Sequence, residues 1–242
     1  MEKYVYSWSS GKDSALGLYE IEKQKGVKPA CLLTTVTEDY DRVSMHGVRR
    51  ELLAEQAESM GTPLRITTIP ASCTNIMYEE IMGKEMERIR REGIYKVAFA
   101  DIYLEDLRKY REDNLSRVGM EALFPLWGRD TARLARLFVE LGFKAVVTCV
   151  DGHSLSGAFA GRDYDLEYIE SLPQGVDPCG ENGEFHTFVF DGPLFARPVR
   201  FSRGEVVKRD DRFFFQELVP ENENKGTQPA RPAVSGGGDS GG

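Results

Sequence analysis

Four β-prone runs separated by three helical stretches fill the first hundred residues, and that alternation constrains the fold more than any other feature. The runs are Tyr4–Trp8, Ala30–Val36, Leu64–Ile69 and Lys96–Ala100. Between them lie helical patterns over Ser14–Gln24, stopped by Gly26, over Val48–Met60, stopped by Gly61, and over 75–91, capped by Asn75. Ala30–Val36 is apolar almost throughout, as a strand covered on both faces requires. Strict strand–helix alternation predicts a parallel sheet with helices on both faces. Right-handed crossovers then place every carboxyl end on one edge, where such sheets bind ligands. The turn after the first strand, the Thr34–Val36 region and Asp101 should open onto one crevice.

Further on, a charged helix is expected over Tyr103–Met120, a loop over Phe124–Asp130, a helix over Thr131–Leu141 and a fifth strand over Phe143–Val150. Beyond Asp151 the texture changes to small, glycine-rich and acidic segments, with a short helix at Asp165–Ser171. Phe188–Phe190, Phe195–Phe201 and Val206–Leu218 alternate as antiparallel strands do. This predicts an α/β core over residues 1–119, a smaller α+β lobe over 120–219 covering one end of the sheet, and a tail over 220–242 too rich in Gly, Pro and charge to build a core.

The formal net charge of −8 argues against general nucleic-acid or anionic-membrane binding. No apolar run is long enough to span a bilayer, and Met1-Glu2-Lys3 leads directly into a strand rather than a signal peptide, so a cytoplasmic location is expected. The four cysteines, Cys31, Cys73, Cys149 and Cys179, form no C-x-x-C pair and fit a reducing compartment. An α/β core of this size also makes a homodimer a reasonable expectation.

The turn Ser9-Ser10-Gly11-Lys12-Asp13-Ser14 has the chemistry of a phosphate cradle. A strand-to-helix turn leaves the first helical N–H groups unpaired, and the helix dipole adds positive potential there. Gly11 permits close backbone approach; Ser9, Ser10 and Ser14 offer hydroxyls; Lys12 offers a mobile positive charge; Ser14 can also cap the helix. It is not a Walker A loop, because the earlier glycine would fall at Tyr6, nor a dinucleotide fingerprint. The alternative is an ordinary turn with serine caps. A second rich segment is Asp177-Pro178-Cys179-Gly180-Glu181-Asn182-Gly183-Glu184-Phe185-His186-Thr187. Its carboxylates, amide, imidazole and thiol suit cation or amine binding, magnesium positioning or proton transfer, or else a solvated turn leading into a strand.

The first turn resembles the PP-loop of the N-type ATP pyrophosphatases, Ser-Gly-Gly-x-Asp-Ser, with Ser10 in place of the first glycine. The second segment resembles the Glu-Gly-Gly-Glu-Phe-Glu-Thr signature of the diphthine–ammonia ligase family, a branch of the PP-loop ATPases. Glu181, Gly183, Glu184, Phe185 and Thr187 match; Asn182 replaces a glycine and His186 a glutamate. Ala100-Asp101-Ile102, Glu112-Asp113-Asn114 and Pro125-Leu126-Trp127-Gly128 are similar to internal signatures of that family, in the same order. The similarity covers residues 4–201.

The resemblance implies an adenine-nucleotide-hydrolase type of fold and an adenylating ligase. ATP would bind with its pyrophosphate on Ser9–Ser14. A substrate carboxylate would attack the α-phosphate, and ammonia would then displace AMP. Lys12, the loop amides and Mg²⁺ would stabilise the departing pyrophosphate, and Asp13 would orient the loop or bind Mg²⁺ through water. Glu181 and Glu184 would bind ammonium and remove a proton, and Asp101, Glu112, Asn114 and His186 would contact substrate. The family's substrate is diphthine on an elongation factor.

Two other functions stay open. One is a PP-loop enzyme with another acceptor, a tRNA base or a small metabolite. The other is a nucleotide-binding protein without net chemistry. Cys149 and Cys179 could serve sulfur transfer, and Cys149, His153, Cys179 and His186 a zinc site, although the spacing matches no standard finger. Each remaining candidate has a plain alternative: Asp101 as a helix cap, His46 as a surface residue rather than a nucleotide contact, Trp127 as a packing residue.

Overall fold

The structure is a computed structural model and describes residues 3–26, 28–38, 42–43 and 47–221. The readings made for His46 and for residues 222–242 of the tail lie outside the described residues.

Five parallel strands form the first sheet: β1 (Tyr4–Ser7), β2 (Cys31–Thr37), β4 (Leu64–Ile69), β5 (Lys96–Ala98) and β6 (Glu121–Leu123), in the spatial order β4-β2-β1-β5-β6. The two-residue β3 (Arg42–Val43) adds an antiparallel pairing at the end of β2. The helices α1 (Lys12–Lys25), α2 (Arg50–Met60), α3 (Asn75–Arg91) and α4 (Glu105–Arg117) are the crossovers. From β1 the chain winds outward through β2 to β4, then returns to β5 on the other side. The direction of winding therefore reverses at β1, where ligands of open α/β sheets bind beyond the strands' carboxyl ends.

The faces follow from the alternation within β1. Val5 joins Cys31, Leu33, Met86, Ile89, Val97, Phe99 and Leu115 under α3 and α4. Tyr4, Tyr6 and Trp8 point the other way, into a core with residues of α1 and α2. Burial of each such side chain is worth about 1.5–3 kcal/mol, and a one-residue slip of β1 would exchange the two sets, forcing the large rings into the space that holds Val5.

The second sheet is antiparallel, in the order β8-β7-β10-β9, from β7 (Lys144–Asp151), β8 (Phe185–Asp191), β9 (Phe201–Arg209) and β10 (Phe213–Pro220). α5 (Thr131–Glu140) and α6 (Leu166–Ser171) accompany it. Val146, Val150, Phe185 and Phe188 of this sheet belong to the same core as Tyr6, Leu16 and Leu52, so one continuous apolar core joins the α1/α2 face of the first sheet to the second.

The structure departs from the sequence expectations at several points. The strand expected at Phe143–Val150 forms, as β7, but in the antiparallel sheet. The fifth parallel strand is Glu121–Leu123, too short to register as a periodic run. Phe195–Arg200 is not a strand, since Pro198 interrupts it. The single run expected over Val206–Leu218 is the end of β9, a tight turn and most of β10. Asp210 and Asp211 adopt positive φ, 50° each, in the three-residue connection 210–212 between Arg209 and Phe213, where the Arg212 amide donates to the Arg209 carbonyl at 3.0 Å. Thr74, not Asn75, caps α3, its hydroxyl accepting from the Met77 amide at 3.3 Å.

Candidate functional site

One cavity of about 660 Å³ opens beyond the carboxyl ends of β1, β2 and β5. Ser9, Lys12, Asp13 and Ser14 of the serine-rich turn line it, together with Glu181, His186 and Thr187 of the 177–187 segment. Thr34 and Thr35 of β2, Asp101 after β5 and Asn114 of α4 also reach it, as do Met82, Met86, Phe99, Tyr110 and Arg111. A volume of this order suits a nucleotide-sized ligand.

The 9–14 turn is tied down by hydrogen bonds from three elements. Ser10, at the position usually glycine, has φ 71°, the left-handed region that costs a non-glycine residue roughly 1–2 kcal/mol. Its carbonyl accepts from the Val189 amide at 3.0 Å and from Gln56 Nε2 at 3.1 Å. Ser9 and Ser14 share a 2.8 Å hydroxyl–hydroxyl hydrogen bond, and Ser14 Oγ also accepts from the Ser9 amide at 3.2 Å. The N-cap of α1 is Gly11, with no side-chain cap. The expectation that Ser14 caps α1 is therefore corrected: it lies inside the first turn and ties back to Ser9. Ser10 Oγ is buried without a hydrogen-bond partner.

Lys12 is not mobile. The residue is 3% exposed, and its ammonium sits 2.7 Å from Asp13 Oδ2 and donates to the Cys179 carbonyl. The rings of Tyr164 and Phe185 lie beneath it, with centroids at 5.5 and 5.2 Å. Burial alone would lower its pKa; the Asp13 carboxylate outweighs it and holds the group above its ordinary value. Lys12 is thus a cationic pin between the phosphate loop and the 177–187 loop. Asp13 keeps an open face, its side chain 28% exposed beside the cavity.

The two glutamates of the 177–187 segment differ. Glu184 is buried and accepts from the amides of Asp177 and Asn182, at 3.2 and 3.0 Å, and from Asn182 Nδ2 at 2.9 Å. These bonds staple its own loop, and Glu184 does not line the cavity. Glu181 is on the wall and accepts from the Ile102 amide at 2.7 Å. Burial, reinforced by Asp13 and Asp101 and opposed by the Ile102 hydrogen bond and Lys12, pushes its pKa up to about 7. A carboxyl group poised there at a cavity wall has the proton affinity a general base or acid needs.

Asp101 is not a helix cap; the N-cap of α4 is Leu104. Its carboxylate faces Arg111, with Oδ2 2.6 Å from Nε and Oδ1 accepting from Nη2 at 3.1 Å, while the guanidinium lies over Phe99 at 4.3 Å. Glu112, expected at the substrate, is off the cavity wall and paired with Arg108 at 2.8 Å. Asn114 is on the wall, its Oδ1 accepting from Arg117 at 2.9 Å. Helical spacing explains the split: Leu107, Tyr110, Arg111, Asn114 and Val118 share one face, and Glu112 is off it. That periodicity was the signal for Arg111. Gln56, missed entirely, sits in the middle of α2 with no motif around it. Trp127 packs on Phe124 and under Arg108, away from the cavity.

Among the described residues, no group of three or more His, Cys, Asp and Glu side chains converges to hold a metal. Cys149 and Cys179 are buried, and burial pushes the Cys149 thiol up to about 12 and the Cys179 thiol higher still, a poor setting for sulfur transfer. Among the described residues, no helix is long and apolar enough to cross a membrane.

Two family descriptions match the sequence: the Diphthamide synthase N-terminal domain over residues 2–122 and the Diphthamide synthase C-terminal domain over residues 130–219. A diphthine–ammonia ligase of Danio rerio is 28% identical over 228 residues, covering 85% of this chain and 89% of that protein. A diphthine–ammonia ligase of Homo sapiens is 26% identical over 222 residues, 82% of each chain. Among solved structures, the U34-tRNA thiolase NcsA from Methanococcus maripaludis with its 4Fe-4S cluster aligns over 58% of each chain at 16% identity, with a TM-score of 0.37, too slight a likeness for any inference.

Proposed function

The chain belongs to the diphthamide synthase family, and from that premise we propose that it is an ATP-dependent ligase that amidates a carboxylate with ammonia, diphthine being the acid its relatives' names point to. One observation carries this reading: a single cavity brings the phosphate loop and a glutamate with a pKa near neutrality to the same sheet edge.

In this reading the substrate carboxylate oxygen bonds to the α-phosphorus of ATP, and the bond from that phosphorus to the α,β-bridging oxygen breaks, releasing pyrophosphate. The acyl carbon now carries AMP as leaving group. Ammonia attacks it, the carbon–oxygen bond to AMP breaks, and the nitrogen sheds a proton as the amide forms. The donor set fits the phosphates. Ser9 and Ser14 hydroxyls line the cavity, and the first-turn amides of α1 point out of the helix, the Lys12 amide being taken by Thr187 Oγ1 at 3.0 Å. Asp13, partly exposed at the cavity, would hold Mg²⁺ together with substrate phosphates, and that ion would supply charge neutralisation for the leaving pyrophosphate. Glu181, ionised, takes the proton from ammonium or from the attacking nitrogen. Asn114 and His186 line the wall where the acid would lie.

The test is product analysis with ATP, Mg²⁺, ammonia and a diphthine-bearing acceptor. AMP and pyrophosphate should appear in equal amounts and depend on ammonia; release of ADP and phosphate would overturn the proposal. Asp13→Ala should abolish pyrophosphate release while leaving the far-UV circular dichroism unchanged.

A further inference from the structure

We propose that Gln56 is a positioning residue through which α2 and the second sheet set the geometry of the phosphate loop. The side chain is fully buried and every hydrogen-bonding direction it uses is matched. Nε2 donates to the Ser10 carbonyl at 3.1 Å and to the Val189 carbonyl at 2.6 Å, and Oε1 accepts from the Trp8 indole Nε1 at 3.0 Å. A rotated amide would set its NH₂ against the indole N–H and its oxygen against two carbonyls, so one orientation is fixed.

These contacts hold the weak point of the loop. Ser10 is a serine in the left-handed region, a conformation that persists only where the surroundings over-determine it. Its carbonyl receives two donors, from Gln56 on α2 and from the Val189 amide on β8. Fixing that carbonyl fixes the plane of the peptide joining Ser10 to Gly11, and so the direction of the amides that follow it into α1. Gln56 bonds Val189 as well, which locks β8 and the loop to each other. Glycine at position 10 would reach the same backbone geometry without steric cost; serine makes the brace necessary.

The ATP arm of the test rests on the proposed function; the ligand-free arm does not. The variants are Gln56→Met, Ser10→Gly and the double substitution. Without ligand, Gln56→Met should speed hydrogen exchange at the amides of residues 9–14 about tenfold, the loss of roughly one net hydrogen bond, and should shift the Trp8 indole N–H resonance. With ATP, the Kd should rise about tenfold. Adding Ser10→Gly should recover most of the ATP affinity yet leave the Trp8 resonance displaced, since its acceptor is still missing. Unchanged loop exchange, an ATP Kd within twofold of the parent, or a loss that Ser10→Gly does not recover would each overturn the assignment. If the unsubstituted chain binds no ATP, the nucleotide reading fails, and loop exchange alone decides the role of Gln56. Should Gln56→Met not fold, Gln56→Glu, which keeps the acceptor for Trp8 and removes the NH₂ donors, takes its place in the exchange and ATP measurements, the Trp8 readout being set aside for it.

Discussion

The two loops that line the cavity use their polar groups in opposite ways. The 9–14 turn is held by Gln56, Val189 and Thr187, and its Ser9, Asp13 and Ser14 line the cavity. The 177–187 loop directs most of its groups inward: Asp177 to the Cys179 amide, Glu184 to the amides of Asp177 and Asn182, and the Cys179 carbonyl to Lys12. It leaves one carboxylate, Glu181, on the wall. Acid content therefore does not measure chemical capacity; the direction in which the acids' partners lie does.

The largest effect should come from the one spared carboxylate. Glu181→Gln is expected to lower turnover about 10²–10⁴-fold, the usual range for loss of a general base. In the parent chain turnover should rise with pH through about 7 as Glu181 ionises, and the substitution should flatten that limb. Stability should move the other way. The folded state holds a proton between the ordinary carboxylate range and about 7 that the unfolded chain has released, so stability falls as pH rises across that window. Thermal denaturation at stepped pH would record the slope, and Glu181→Gln should remove it. An unchanged turnover would break the contrast between the loops at its strongest point.

Glu184→Gln should instead act on the fold. It removes charge-assisted hydrogen bonds worth about 1.5–3 kcal/mol and should lower the melting midpoint by several degrees while lowering turnover much less than Glu181→Gln. If the two substitutions cost turnover equally, the distinction between a wall residue and a staple fails. Ser10→Gly should raise the midpoint slightly, by at most a few degrees, as relief of the left-handed serine is partly offset by glycine's unfolded-state entropy. Smallest of all, Glu112→Ala should change turnover less than twofold, because that side chain pairs with Arg108 off the cavity.

The alternation of the first hundred residues was enough to place the parallel sheet, its crossovers and the edge that bears the cavity, since long periodic elements dominate there. What escaped was short or non-local. β6 has three residues, and the β9–β10 turn depends on two aspartates taking positive φ. Within the site, motifs brought out Asp13, Asp101 and Glu181, which lie on the wall. They also brought in Glu112, because a run of adjacent letters does not say which helix face each occupies. Gln56 carries no local mark, since what it does is defined by Trp8, Ser10 and Val189, brought together only by the fold.

The order in which these parts leave a ribosome has a consequence. The serine turn is made first, but Thr187 and Val189, which brace it, follow about 175 residues later. A nascent chain that has not yet reached Thr187 thus carries the turn without its support, and if the proposed function holds, nucleotide capture should switch on only after that residue is in place.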